Sequence, residues 1–262
     1  MHADFARLDL WARRRSLAGY GLGLAAYVLV VVAMYPAFKN STSLDNLIRN
    51  DSTAAALFGI SGGISTTGGW LNANIYANFF PLLMLLLTIG YGAGCLAGQD
   101  EEGRLGLIAA LPISRTKLVA EKAVAMVVQI ATLTLAVAAC VLVGRYFELK
   151  VTAGGELSVS VAVGLLGLDF GLGAMAVGAL SGRRGAAIGA GAGVAAASYL
   201  VSSLAPVVSW LKPMRYASLF FWAVGNNQIT SGVSPLDYLV LVAVALAAWA
   251  VAVTGFRRLD LH

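Results

Sequence analysis

Asp169 is the one charged residue between positions 157 and 180 of this sequence. A carboxylate at the centre of a membrane costs about 2.5–3.5 kcal/mol on insertion scales, so it has to face other helices, water or a partner. Two chemistries suit it: a contact for a cationic amphiphile or a proton on a substrate path, or an internal tie hydrogen-bonded to a neighbouring helix. The other reactive side chains form no set. Cys95 and Cys140 lie in apolar runs with neither disulfide-framework nor metal-ligand spacing. His2 and His262 stand at the two extremes. There is no G-x-x-x-x-G-K-[ST] phosphate loop, and no Lys follows the Gly-rich stretch from Gly185 to Gly193. No serine sits in a G-x-S-x-G elbow. The reading is a chain with no catalytic residues, no metal site and no cofactor of its own.

The most informative polar cluster is Gln99-Asp100-Glu101-Glu102-Gly103-Arg104-Leu105-Gly106-Leu107-Ile108-Ala109-Ala110-Leu111-Pro112-Ile113-Ser114-Arg115-Thr116-Lys117-Leu118. The acids stand where the start of a helix favours negative charge. Leu105, Ile108 and Leu111 recur every three residues as one helical stripe. Pro112 stops the turn. Ser114 is placed to cap the next helix, whose entry carries Arg115, Lys117 and Lys122. The pattern predicts a short amphipathic helix parallel to the membrane, offering an apolar and acidic face to something cytoplasmic. Acidic side chains suit a protein better than an anionic leaflet. The alternative is an interfacial helix that rests on lipid.

The elements that position these residues follow from composition. Of the 262 residues, 59% are hydrophobic and 12% charged, with a mean hydropathy of +0.80. Soluble domains average roughly 45–50% apolar and about 25% charged. A spanning helix needs about 20 apolar residues, and charge-free runs place six spans near 16–38, 76–98, 123–144, 157–180, 185–211 and 238–256. The expected fold is an all-α integral membrane protein forming a single transmembrane domain over 1–262. Residues 216–236, with Asn226, Asn227, Gln228, Thr230 and Pro235, read as a re-entrant or surface segment before the sixth span. Six spans put twelve of the eighteen basic residues on one side and six on the other, so the positive-inside rule makes both termini cytoplasmic. The net charge of +5 belongs to span ends and indicates no nucleic-acid partner.

The first run is too long for a signal h-region and reads as an uncleaved anchor. Phe5, Leu8 and Trp11 among Arg7, Asp9 and Arg13 suggest either a short helix on the inner surface or a frayed tail. Spacing of four places Gly90, Gly94 and Gly98 on one face of the second span, and Gly185, Gly189 and Gly193 on one face of the fifth, suited to helix packing or dimer contact. Gly19 and Gly23 repeat the spacing on the first. Trp70, Tyr76, Phe79 and Phe80 read as an interfacial belt at the outer end of the second span.

The loop resembles the cytoplasmic loop of ABC-2 type permeases, the membrane subunits of ATP-binding-cassette exporters. The family pattern is acidic-acidic-Gly-Thr-Leu-Glu, a few apolar residues, then Leu-Pro-Ile-Ser-Arg and a Lys near the next helix. This chain has Glu101-Glu102-Gly103, Leu105, Leu111-Pro112-Ile113-Ser114-Arg115 and Lys122. Arg104 stands for the usual Thr and Gly106 for the usual acid. The resemblance implies a coupling helix over Asp100, Glu101, Glu102, Gly103, Leu105, Ile108, Leu111, Pro112, Ile113, Ser114 and Arg115. It implies an ABC-type ATPase subunit that holds ATP and Mg, a second permease subunit (identical or related), surrounding lipid, and export of a hydrophobic or amphiphilic compound from a bacterial cell membrane. Other classes weighed are an ion-coupled secondary transporter, which would carry more intramembrane ionisable groups and inverted repeats, a non-transporting assembly factor, and a membrane enzyme, which lacks its catalytic set here.

Overall fold

The computed structural model describes residues 4–39, 65–103, 114–150, 153–225 and 228–258. Among them there is no strand, and six helices are long and apolar enough to cross a membrane. Lipid offers no hydrogen bonds, so a spanning backbone must satisfy its own polar groups, which these helices do.

The spans are α1 (Asp4–Phe38), α2 (Thr67–Glu101), α3 (Arg115–Val143), α4 (Ala153–Ser181), α5 (Arg184–Leu204) and α6 (Pro235–Arg258). Helix α2 is built of α-helical pieces joined by two π-helical turns, Asn72–Tyr76 and Gly94–Gly98. Helix α1 runs unbroken through the residues that suggested a surface helix. Its 35 residues make a rod of about 52 Å, well beyond a hydrocarbon core of about 30 Å.

Helix α4 is the centre of the bundle and packs against α2, α3, α5 and α6. Of its most apolar stretch 72% is buried, against 22% in α1 and in α5. A helix apolar all round belongs inside. Glycines let its neighbours approach. A Cβ on Gly167 would collide with Met84, and one on Gly171 would come within 2.6 Å of Met126 Sδ and 2.9 Å of Thr88 Cβ. A Cβ on Gly92 of α2 would overlap the Gly171 carbonyl. Gly164, against Thr134, and Gly178, against Ala97, continue the row. The spacing of three, four and seven residues is one helical face, which a search for intervals of four passes over.

The aromatic belt is corrected by the structure. Trp70, Tyr76 and Phe80 are buried, and Phe79 is half-buried with its ring stacked on Tyr27. Trp70 Nε1 donates to the Val31 carbonyl at 3.0 Å, and the Tyr76 and Ser160 hydroxyls are 2.9 Å apart. These rings join α2 to α1 and α4 instead of facing lipid.

Between α5 and α6 the chain makes short pieces: 3-10 turns at Ser209–Leu211 and Pro213–Ala217, a π-helical turn at Phe221–Gly225 and a helix at Gln228–Ser231. None is long enough to span. Phe220, Phe221, Ala223 and Val224 are buried. Side chains satisfy the broken backbone: Gln228 Nε2 donates to the carbonyls of Phe221 (3.0 Å) and Trp222 (3.2 Å), and Trp222 Nε1 donates to that of Tyr216 (2.8 Å).

Candidate functional site

The loop singled out by sequence leaves α2 at Gly103 and rejoins the bundle at Ser114. Leu105, Ile108, Leu111, Pro112 and Ile113 lie outside the described residues, so the structure bears on the base of the loop. Asp100 and Glu101 form the last turn of α2, not the start of a new helix. Gly103 follows with φ +67°, a left-handed turn that glycine makes without strain, and its N–H donates to the Asp100 carbonyl at 2.8 Å. Asp100 is buried, and its Oδ1 accepts no hydrogen bond. Glu102 is exposed.

Two ties hold this base to distant helices. Glu101 Oε1 accepts the backbone N–H of Arg184 at 2.9 Å, the first residue of α5. The preceding Arg183 gives α5 no side-chain cap, so the carboxylate of α2 serves an unsatisfied amide and a helix N-terminus at once. On the other side Ser114 Oγ caps α3 by accepting from Lys117 N at 3.3 Å. Arg115 Nη1 donates to the carbonyls of Phe256 (2.9 Å) and Arg257 (3.2 Å) at the end of α6. A cation belongs at a helix C-terminus. Arg257 returns the contact through Nη2 to Thr116 Oγ1 at 3.0 Å. The loop is therefore anchored to α5 at one end and α6 at the other.

Beside this base is a buried ionic cluster that sequence reasoning missed. Lys122 of α3 is 1% exposed, and its Nζ donates to Asp9 Oδ1 (2.9 Å) and Oδ2 (2.8 Å) on α1. Tyr91 of α2 donates its hydroxyl to Asp9 Oδ2 at 2.7 Å. The Arg13 guanidinium lies over the Tyr91 ring, 4.8 Å from its centre. One turn outward, Glu121 Oε2 accepts the Phe5 N–H at 2.8 Å, while Oε1 is 3.7 Å from Lys117 Nζ. Phe5, Asp9 and Arg13 repeat every four residues on one face of α1, the signal that was present. Reading Lys122 only as a topology charge hid its pairing.

Asp169 is buried, and among the described residues neither carboxylate oxygen has a hydrogen-bond partner. Glu156, near the opposite end of α4 from the loop, is also buried, and among the described residues both its oxygens are unpartnered. The glycine rows divide. Gly94 and Gly98 face the side chains of Arg13 and Arg184. Gly90, Gly185, Gly189 and Gly193 have no other helix among the described residues within 4 Å of where a Cβ would stand. Helix α5 packs inward through Ala187, Gly191 and Ala195 instead.

Among the described residues, the arrangement is a loop base hydrogen-bonded to the ends of several spans. A family model described as ABC-2 family transporter protein matches residues 5–261. No curated protein matches the chain.

Proposed function

The chain belongs to the ABC-2 transporter family, and from that premise we propose that it is the permease subunit of an exporter for a hydrophobic or amphiphilic compound. The family's permeases work with an ABC-type ATPase, which holds the ATP and Mg. Two permease subunits, identical or related, would pair in the cell membrane, each resting on an ATPase through the loop between α2 and α3.

The observation that carries this reading is the double anchorage of the loop base. A push on the loop reaches α5 through Glu101 and Arg184 N, and α6 through Arg115 and the Phe256 and Arg257 carbonyls. Closure of the ATPases would then bias the spans between two packings. Asp169 would face the substrate path as a contact for a cationic portion of the cargo, and its unpartnered oxygens support that role. The same oxygens favour the second reading, an ion-coupled transporter with Asp169 as the proton or cation site.

The test is co-expression with candidate ABC ATPases, purification in detergent, and measurement of ATP hydrolysis with and without Glu102→Lys. Stable co-purification, weakened in assembly or hydrolysis by the substitution, is the expected result. If no ATPase binds under any condition, the permease reading fails and ion-coupled transport through Asp169 takes its place.

A further inference from the structure

Two guanidinium groups from different helices converge at one glycine of α2. The point where a Cβ of Gly94 would stand is 3.7 Å from Arg13 Nη2 and 4.0 Å from Arg184 Nε. Arg184 reaches it by laying its stem across Gly98, with Cδ 3.2 Å from that residue's missing Cβ. Arg13 is held by the Tyr91 ring. Among the described residues neither side chain makes an ion pair with a carboxylate. Asp9 is occupied by Lys122 and Tyr91, and Glu101 by the backbone N–H of Arg184. Gly94 is half-buried, Arg13 likewise, and Arg184 is exposed.

Like charges brought together from two helices repel unless an anion lies between them. We propose that Arg13, Arg184 and the bare surface of Gly94 form a binding site for the phosphate of an anionic phospholipid, in the leaflet that meets this end of the bundle. Guanidinium forks match phosphate oxygens in pairs. The depth of the site along α1 favours a lipid over a protein partner. Leu8 and Trp11, on the opposite face of the same end of α1, are 60% and 62% exposed, and Arg14 stacks on Trp11 with its guanidinium 4.6 Å from the ring centre. Exposed tryptophan and leucine among arginines is the composition of a membrane interface. The site is independent of the ATPase partnership proposed above.

Lipid retention is measured by native mass spectrometry on the full chain in detergent, titrated with phosphatidylglycerol and, separately, phosphatidylcholine. The variants are Arg13→Gln, Arg184→Gln, both together, and Arg14→Gln with Arg15→Gln as the control. Phosphatidylglycerol is expected to bind the wild type in preference to phosphatidylcholine. Affinity falls about 5-fold for each single change and about 30-fold for the pair, the size of one and two near-surface cation contacts. Gly94→Leu, which fills the space and keeps both charges, is expected to weaken binding as well; each variant's melting temperature shows that it is folded. Unchanged affinity in the double variant overturns the proposal, as does an equal loss in the control. Two further results would overturn it: Arg-dependent binding of inorganic phosphate that phosphatidylglycerol does not displace, which would mean a free anion, or loss of a co-purifying ATPase with lipid binding intact, which would mean a protein contact.

Discussion

Truncating Asp9 to alanine removes the carboxylate that three donor bonds share, two from Lys122 and one from Tyr91. Lys122 then stays buried with no counter-charge, and the Tyr91 hydroxyl loses its acceptor. Removing one partner of a buried pair costs about 3–5 kcal/mol, most of it the penalty on the charge left behind. The Asp9 side chain keeps 15% exposure, so solvent screens part of the interaction, which brings the expectation to about 2–3 kcal/mol. At about 2–4 °C per kcal/mol for a chain of this size, the melting temperature falls by roughly 5–10 °C. Cys95 supplies the readout, because it is buried in the folded bundle and free. A maleimide dye that fluoresces on reaction reports the fraction unfolded during a thermal ramp. The half-buried Cys140 is first changed to serine. The paired change Asp9→Leu with Lys122→Met replaces the ion pair by apolar volume and is expected to regain most of the loss. The reasoning is refuted if Asp9→Ala melts with the parent, or if the paired variant melts lower than the single one.

Arg115→Ala removes the tie between the loop base and the carbonyls of Phe256 and Arg257; melting is expected to fall by about 2–8 °C, since about 1–2 kcal/mol is at stake, while ATPase-coupled transport in proteoliposomes drops with the ATPase still bound. Gly171→Ala forces a methyl against Met126 and Thr88 and should cost about 1–3 kcal/mol, whereas Gly173→Ala on the same helix meets no other helix within 4 Å among the described residues and should be neutral or gain up to about 1 kcal/mol; paired melting curves separate the two. Asp169→Asn removes a carboxylate that makes no hydrogen bond, so melting should be unchanged or higher, while transport selectivity for cationic cargo changes; unchanged transport of every cationic compound tested would count against a place on the substrate path.

The spans were legible because a membrane imposes one strong rule on sequence, long runs without charge; Lys39, Arg145 and Arg257 mark ends of the helices, while α1 and α3 run on past Arg15 and Lys122. The cap was legible where chemistry is local, as with Ser114 on α3. What could not be read was pairing across sequence distance. Asp9 and Lys122 each carry a charge that fits a span end equally well unpaired, and only the packing of α1 on α3 brings them together. Acids at 100 and 101 suggested a helix start, and one of them does serve a helix start, but that of α5, more than eighty positions away. The aromatics at 70, 76 and 80 have the composition of a lipid-facing belt. Their burial comes from contacts with α1 and α4, which are pairings across sequence distance.

The uninterrupted α1 has a mechanical consequence. A rod of about 52 Å that extends past the membrane is a lever with its fulcrum inside the bilayer. Tilting it by about 10° around its midpoint carries each end through about 4–5 Å, with the length set by the helix rise. A hinge between span and tail would absorb such a rotation; a continuous helix transmits it. The Phe5, Asp9 and Arg13 face is gripped at that swinging end, so those bonds must follow the tilt of the span or break. The end of α1 is thus where a small angular change in the membrane becomes a displacement of several ångströms at its surface.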